Sequence, residues 1–273
     1  MASVAVIALE NDTINFHRRY MLGPILNVLK QMGHEVAIHA GVPPAYEPAH
    51  LAIMHVDLSV VPKPYLDYAA QYPLCLNFKP SNILKRTISG ALIDETTPWS
   101  GPVIVKSNWN YCGIPEVRLN RRAVARHLPP PVPEVTDIGN YHIFRSRSDV
   151  PREAFKNPSL VVEKFIPEQD DGEFAIRFWS FAGSGERCAR VFSKSPIVKA
   201  SEQTHFEFCE VPHTLRRRRE ELGFDFGKFD FVMHDGEPVL LDANKTPGSP
   251  PVEKTTWQID YANGILQMLE KRT

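Results

Sequence analysis

The chain has 273 residues, of which 43% are hydrophobic, so it can bury one large core or two modest ones. Its 31 basic and 32 acidic residues leave a net charge of -1, which gives no reason to expect a nucleic acid or a membrane as a partner. The four cysteines lie far apart without a CxxC pair, and no apolar run approaches the roughly 20 residues of a membrane span. A soluble, reduced, cytoplasmic protein is therefore expected.

The first 76 residues alternate apolar runs of strand length with segments of helical periodicity. Strands are predicted over 4–9, 35–39 and 51–56, and helices over 20–31 and 64–71. The N-terminal run lacks the basic segment that begins a signal peptide, so we expect a first strand there. Because strands that alternate with helices form parallel sheets, this part is predicted to be a small α/β unit.

The middle of the chain begins with a helical pattern over 81–93. A strand over 102–106 ends in a lysine, and a basic helix is predicted over 117–127. The proline-rich run 129–133 marks a stiff connection. Short strands are predicted after it, over 141–145, 160–164, 174–181 and 188–192.

Near the C-terminus, apolar runs over 228–234 and 237–242 flank Asp235-Gly236, which is a strong hairpin signal. A further helix is expected around Arg216–Arg219, and a C-terminal helix over 253–271. The predicted fold class is thus α/β followed by α+β, with antiparallel pairs dominating the second part.

Three oxygen-bearing side chains stand out in this hairpin. Asp230 lies in an otherwise apolar strand, Asp242 follows an apolar run, and Asn244 comes two residues later on the same face if the strand continues. A strict two-residue turn would pair Asp230 with Leu241. A three-residue loop or a bulge would instead pair it with Asp242 and gather all three side chains on one face.

Two carboxylates buried together repel each other unless a cation neutralises them. Hard oxygen ligands suit Mg²⁺, with Mn²⁺ as the alternative ion, and water and nucleotide phosphates usually complete the coordination. The structural alternative is that Asp230 and Asp242 cap strand ends. We favour the metal, because Asp is rarely buried without a partner.

This arrangement resembles the ATP-grasp superfamily, in particular its glutathione-synthetase-like and ribosomal-protein-modifying ligases. Those enzymes hold magnesium with an acid on one strand and an acid-x-Asn on the next, which Asp230 and Asp242-Ala243-Asn244 match, with Asp where Glu is commoner. Pro247-Gly248 fits the family pattern too. The resemblance implies an ATP-grasp fold with an N-terminal α/β (pre-ATP-grasp) domain at 1–76. The ATP-grasp domain would cover 77–273, with a small lid at about 95–165.

Upstream segments resemble the phosphate-binding elements of that family in the correct order. The strand over 102–106 is similar to the one whose lysine reaches the nucleotide phosphates, which implies this role for Lys106. The segment 77–85 is similar to the one that carries the other phosphate lysine, which we place at Lys85. Arg177 matches a phosphate-side arginine, so the resemblance implies that Arg177 and Lys106 act in catalysis.

Further segments resemble the adenosine-binding elements. The strand around 161–166 is similar to the one between the two lobes. The resemblance implies that Glu163 accepts a hydrogen bond from the adenine amino group and that the backbone of Lys164, Phe165 and Ile166 contacts the edge of the ring. Glu173 is similar to the ribose-side acid.

Each of these assignments has a structural alternative. Lys106 could be a surface lysine that extends along apolar atoms, and Glu163 could be an edge-strand charge. Lys79 or Arg86 could take the role of Lys85. The partner of Arg177 could be purely structural, and Lys199 is expected to be solvated rather than a phosphate contact.

Polar residues also follow the first and third predicted strands: Glu10, Asn11 and Asp12, then His55 and Asp57. Ligands of open α/β sheets gather beyond the carboxyl ends of the strands, so these side chains could touch a substrate. Capping of the loops explains them as well.

The resemblance implies an ATP- and Mg-dependent ligase. The γ-phosphate would pass to a small-molecule or peptide carboxylate, and an amine would attack the acyl phosphate. A small-molecule kinase and a non-catalytic nucleotide-binding protein stay open as alternatives. The run 107–113 favours the latter, because it has one glycine where many relatives carry a long glycine-rich flap, although its asparagines could donate to phosphate. Nothing in the sequence fixes the oligomeric state, so a homo-oligomer stays open.

Overall fold

The computed structural model describes residues 1–10, 12, 16–136, 141–199, 202–249 and 257–271. In chain order, the strands are β1 (Ser3–Ala8), β2 (Glu35–Ala40), β3 (Leu51–His55), β4 (Cys75–Leu76), β5 (Val103–Ser107), β6 (His142–Phe144), β7 (Leu160–Lys164), β8 (Glu168–Asp170), β9 (Glu173–Ala182), β10 (Gly185–Ser193), β11 (Phe206–Phe208), β12 (Phe226–His234) and β13 (Glu237–Asn244).

The helices are α1 (Phe16–Arg19), α2 (Leu22–Gln31), α3 (Lys63–Ala69), α4 (Lys85–Ile88), α5 (Ile114–Ala125), α6 (Arg152–Lys156), α7 (His213–Leu222) and α8 (Trp257–Glu270). Two short 3₁₀ turns cover Asn110–Gly113 and Arg147–Asp149. Within the described ranges, no helix has the length and apolar character that crossing a membrane requires.

The N-terminal part forms a parallel sheet, as predicted, and its strand order is β2-β1-β3-β4. All of β3 and nearly all of β1 is buried, which explains why both strands read as continuous apolar runs. Helix α2 packs Leu22, Ile25 and Leu29 onto this sheet. The same core includes Trp257 and Ile265 of α8, so the C-terminal helix closes over the N-terminal sheet.

The second sheet is antiparallel, with the order β11-β10-β9-β12-β13 and β8 paired to β9. Its buried face is aromatic. Trp179 and Phe229 pack edge to face with ring centroids 5.6 Å apart, and Phe181 and Phe229 do so at 5.1 Å. A third, three-stranded antiparallel sheet has the order β6-β5-β7. Both parts of the predicted fold class are confirmed. The domain limits at 76 and 95–165 stay predictions.

The hairpin of β12 and β13 contains both features that decide the position of Asp230. A two-residue turn at Asp235-Gly236, with positive φ angles of 50° and 83°, pairs His234 with Glu237. A register shift between Asp230 and Phe231 then brings Asp230 opposite Asp242. The bulged pairing, one of the two alternatives from the sequence, is therefore confirmed.

The prediction of a long helix over 81–93 is wrong, since only α4 is helical there. The backbone of this segment bonds to its neighbours instead: Ile83 N donates to Ser59 O and Gly90 N donates to Leu240 O, both at 2.8 Å. Those partners replace the i to i−4 bonds of a helix, and periodicity alone does not reveal them. Of the predicted C-terminal helix, residues 253–256 lie outside the described residues.

His55 is a fully buried titratable group at the end of β3. Its ring packs against Phe16 and Tyr20, with centroids 4.9 and 4.6 Å away, and neither ring nitrogen has a hydrogen-bond partner among the described residues. Burial in these apolar surroundings lowers the pKa of His55 from 6.5 to about 3. The ring is therefore neutral in the folded protein at neutral pH.

We expect this depressed pKa to make folding acid-sensitive. The contribution of the neutral His55 ring to the free energy of unfolding is complete above pH 6.5, the pKa of histidine in the unfolded chain. It is lost as pH falls towards the folded pKa of about 3, because protonation then favours the unfolded state. Its slope is up to about 1.4 kcal/mol per pH unit. When the pH is lowered from 7 to 5, urea unfolding should show a smaller loss of stability for His55→Leu than for the unchanged chain. Substitution of the exposed His213 by Gln is the control, and an equal loss in His55→Leu would contradict the assignment.

Candidate functional site

A cavity of about 550 Å³ lies between the three-stranded sheet and the β12–β13 hairpin. Its volume is within the range of small-ligand sites. Most of the site residues predicted from the sequence line it, namely Lys85, Lys106, Glu163, Lys164, Phe165, Ile166, Asp230 and Asp242. Residues that are up to 157 positions apart in the chain therefore meet around one space.

Asp230 and Asp242 face this cavity from adjacent strands, with side chains 22% and 23% exposed. Asp242 Oδ2 lies 3.1 Å from Lys85 Nζ, and Asp230 Oδ1 lies 2.9 Å from Lys228 Nζ. Desolvation raises the pKa of Asp230, Lys228 opposes that rise, and the like charge of Asp242 adds to it. The two carboxylates therefore form one electrostatic unit.

The chemistry of this donor set fits a hard divalent cation. Mg²⁺ is commonly held by one or two carboxylates, with water and phosphate oxygens completing the octahedron. Among the described residues, no group of three or more His, Cys, Asp and Glu side chains forms a complete metal cage. Asp230 and Asp242 thus suit an ion that arrives with a phosphate ligand. Asn244 does not line the cavity, and its Oδ1 accepts a bond of 2.8 Å from Thr246 N.

Lys85 is fully buried beside the carboxylates, and its Nζ donates to Trp109 O at 3.1 Å. The two alternatives for its role point elsewhere. The Arg86 guanidinium donates to Leu160 O at 2.8 Å, and Lys79 packs against Gly223. Lys85 is therefore the member of this group that reaches the cavity.

Lys106 and Glu163 form an ion pair on neighbouring strands β5 and β7. The side chains are 10% and 0% exposed, so neither is the solvated surface charge that the structural alternative required. Glu163 Oε2 contacts Lys106 Nζ, whereas Oε1 is buried without a hydrogen-bond partner among the described residues. An unsatisfied carboxylate oxygen beside a cavity fits a ligand that donates a hydrogen bond, such as the amino group of adenine.

Arg177 and Glu173 are not brought to the cavity. The Arg177 guanidinium makes two bonds to the carboxylate of Glu168, at 2.8 and 3.0 Å, and Glu168 also accepts from Met233 N at 2.9 Å. Glu173 Oε2 lies 3.5 Å from His205 Nδ1. Arg177 therefore holds Glu168 within the sheet, and the geometry gives it no contact with a ligand in this cavity.

Sequence reasoning missed Lys228 and Tyr141 and favoured a solvated Lys199. Lys228 precedes Asp230 by two residues, so strand periodicity could have placed both on one face. Tyr141 lines the cavity and accepts a bond from Cys112 Sγ at 3.4 Å, for which the sequence carries no signal. Lys199 lines the cavity too, although it is largely exposed and 3.5 Å from Glu202.

The turn after β5 is short and built from left-handed residues. Tyr111, Cys112 and Gly113 have φ angles of 47°, 56° and 75° in succession. The side chain of Asn108 is engaged on both sides, since Nδ2 donates to Pro158 O and Oδ1 accepts from Arg86 N, each at 3.0 Å. The amide of Asn108 is therefore a structural anchor, and Asn108 does not line the cavity.

The polar residues after β1 and β3 form a bonded network. Arg19 donates to Asp12 at 2.8 Å and to Asp57 at 2.9 Å, and the Tyr20 hydroxyl contacts both carboxylates. Thr246, just beyond β13, donates to the remaining oxygen of Asp57 at 2.8 Å. These contacts tie the N-terminal sheet to the end of the carboxylate-bearing hairpin.

Residues Glu10 and Asn11 complete the set predicted after β1. Glu10 lies 3.4 Å from Arg126 in an exposed ion pair, and Asn11 lies outside the described residues. Every carboxylate oxygen of Asp12 and Asp57 has a protein partner, so this side-chain network gives both residues a structural role, while the capping of loops stays a prediction.

Breaking the buried pair of Lys106 and Glu163 should destabilise the fold strongly. Glu163→Leu leaves an uncompensated buried ammonium, and we expect a loss of about 3 kcal/mol in the free energy of unfolding. The double variant Lys106→Met/Glu163→Leu should recover most of it. In the exposed pair of Lys63 and Asp67, Asp67→Asn should change stability by less than about 1 kcal/mol. Denaturant unfolding measures all three, and a double variant no more stable than Glu163→Leu would contradict the pairing.

No protein-family model and no curated protein matches the sequence. Solved structures do match its fold. D-alanine–D-alanine ligase from Bacillus anthracis aligns over 100% of both chains with 12% identity and a TM-score of 0.50. The macrocyclase MdnC from Microcystis aeruginosa MRC, bound with precursor peptide MdnA, aligns over 98% of this chain and 99% of its own, with 12% identity and a TM-score of 0.50.

A third structure, the ATP-grasp ligase PsnB complexed with a minimal precursor, Mg and ADP, aligns over 98% of this chain and 96% of its own. Its identity is 11% and its TM-score is 0.50. At such identities the likeness establishes the fold and leaves the reaction to be argued from the site. The chain has the ATP-grasp fold.

Proposed function

We propose that this chain is an ATP- and Mg-dependent ligase that activates a carboxylate as an acyl phosphate for attack by an amine. The observation that carries the proposal is the pairing of Asp230 with Asp242 in the same cavity as Lys85 and Lys106. Acidic oxygens for a cation and ammonium groups for phosphates are the two requirements of phosphoryl transfer, which depends mainly on positioning and charge neutralisation.

The residues that line the cavity suit the two parts of a nucleotide. Glu163, with its unpartnered oxygen, and the backbone of Lys164, Phe165 and Ile166 would hold adenine. Lys85 and Lys106 would hold the phosphates, and Asp230 and Asp242 would hold the ion, whereas Oδ1 of Asn244 is bonded to Thr246 N outside the cavity. The bound ion would neutralise phosphate charge during transfer.

The reaction divides into two displacements. A carboxylate oxygen of the substrate forms a bond to the γ-phosphorus as the bond between that phosphorus and the ADP oxygen breaks. The amine nitrogen then attacks the carbonyl carbon, inorganic phosphate leaves, and the amine loses a proton. In both steps the protein contributes electrostatic stabilisation. Lys85 and Lys106 stabilise the negative charge of the phosphates in a site that excludes much of the solvent.

The similar structures support a broad class of substrates. One is a D-alanine–D-alanine ligase, and two were solved with a precursor peptide or a minimal precursor. We therefore propose a small-molecule or peptide carboxylate and an amine as substrates.

Substitution of either carboxylate should remove metal-dependent activity. We expect Asp242→Asn and Asp230→Asn to lower ADP release by about 100-fold or more, as removal of one charged group from a preorganised site does. Both should also weaken MgATP binding in calorimetry. Asp235→Asn is the matched control, because the side chain of Asp235 is 91% exposed in the turn of the same hairpin.

Product analysis separates the ligase from its rivals. The ligase releases ADP and phosphate only when a carboxylate and an amine are both present. A stable phosphorylated product formed without an amine would instead identify a kinase. If the chain binds MgATP but releases no ADP with any acceptor from a panel of amino acids and peptides, it is a non-catalytic nucleotide-binding protein. Failure to bind MgATP would reject the whole proposal.

A further inference from the structure

Three ion pairs line or adjoin the cavity, and each joins one lysine to one carboxylate. Lys85 pairs with Asp242, Lys106 pairs with Glu163, and Lys228 pairs with Asp230. The first two lysines have a role in the proposed function. Lys228 has none, although its Nζ lies 2.9 Å from Oδ1 of Asp230, whose carboxylate would bind the metal.

The position of the Lys228 ammonium is fixed from two sides. Asp230 Oδ1 lies on one side, and the ring of Phe178 lies on the other with its centroid 4.1 Å away. Such a ring attracts a cation by its quadrupole. Because Asp230 pairs with Phe178 across β12 and β9, strand geometry sets both contacts. The side chain is 29% exposed and is not among those that line the cavity, so the ammonium contacts Asp230 from outside the lining.

We propose that Lys228 is the internal counter-ion of Asp230, which opposes the binding of a free divalent cation and thereby makes metal and nucleotide binding depend on each other. This inference rests on the proposed function, since it concerns the same pair of carboxylates.

The charge balance explains the expected dependence. Asp230 and Asp242 carry two negative charges, and Lys228 and Lys85 balance them with two positive ones. A divalent ion that enters alone lies near two ammonium groups that repel it. A nucleotide that arrives with the ion brings phosphate oxygens, which attract the ion and offset the positive charge of the ammonium groups. By linkage, the nucleotide must then raise the affinity for the ion by the same factor as the ion raises the affinity for the nucleotide.

The substitution Lys228→Met removes this counter-ion at little risk to the fold. A partly exposed ion pair contributes little to stability, so the variant should fold. Lys228→Gln is a second variant that keeps a polar group at the site. Lys228→Arg keeps the charge and should behave like the unchanged chain. Lys63→Met, at an 81% exposed lysine of α3, removes one positive charge far from the cavity as the matched control.

The readout is Mn²⁺ binding by electron paramagnetic resonance, without nucleotide and with a non-hydrolysable ATP analogue. We expect Lys228→Met and Lys228→Gln to bind Mn²⁺ alone about 10-fold more tightly than the unchanged chain, a typical size for coupling between two sites. The analogue should raise Mn²⁺ affinity less in these variants. Adding Asp230→Asn to Lys228→Met should abolish the gain.

Each result decides the inference. If both Lys228 variants bind free Mn²⁺ no more tightly than the unchanged chain, while the analogue still promotes Mn²⁺ binding, Lys228 is not the counter-ion and the proposed function stands. If the gain survives Asp230→Asn, or if Lys63→Met shows the same gain, the effect is not local and the inference fails. If no protein binds Mn²⁺ even with the analogue, the inference and the proposed metal site fail together.

Discussion

The structure depends at its centre on one register shift in one hairpin. The turn at Asp235-Gly236 would by itself place Asp230 opposite Leu241, and the bulge before Phe231 moves its partner to Asp242. Because side chains alternate along a strand, a change of one residue decides whether two carboxylates share a face. Burial raises the pKa of Asp230, and the like charge of Asp242 adds to that rise. A bound cation would stabilise the charged form of both carboxylates.

The lysines around Asp230 and Asp242 compensate the negative charge of the two carboxylates. Lys85 and Lys106 line the cavity, Lys228 lies beside Asp230 just outside that lining, and each of the three ammonium groups has a carboxylate partner. A buried ion that has a partner is tolerated, whereas an isolated one is not. The proposed site is therefore charged yet balanced, and a ligand can bind by exchanging partners. The network of Asp57 and Thr246 holds the same hairpin against the N-terminal sheet.

The sequence predicts this part of the protein well for physical reasons. Strands with strong apolar patterns, the Asp-Gly turn and a charged residue inside an apolar strand are local signals, and β5, β7, β12 and β13 lie close to their predicted ranges. Two outcomes of the register were open, because a bulge has no sequence signature as clear as that of a turn. Lys228 precedes Asp230 by two residues, so strand periodicity places both side chains on one face, although it does not indicate that they pair.

The remaining failures have a common cause. The segment 81–93 has a helical pattern, but its backbone bonds to Ser59 and Leu240, which are remote in sequence. Arg177 is preceded and followed by apolar residues in β9, and its partner Glu168 belongs to β8, a strand too short to predict. In both cases a contact with another segment of the chain decided the outcome, and the local pattern around each residue does not report such contacts.

The most direct test of the central claim is a crystal structure with Mn²⁺ and a non-hydrolysable ATP analogue. An anomalous peak should lie between Asp230 and Asp242, within about 2.0–2.3 Å of an oxygen of each and of a phosphate oxygen. Adenine should then lie beside Glu163. An ion bound elsewhere, or an analogue outside this cavity, would contradict the account.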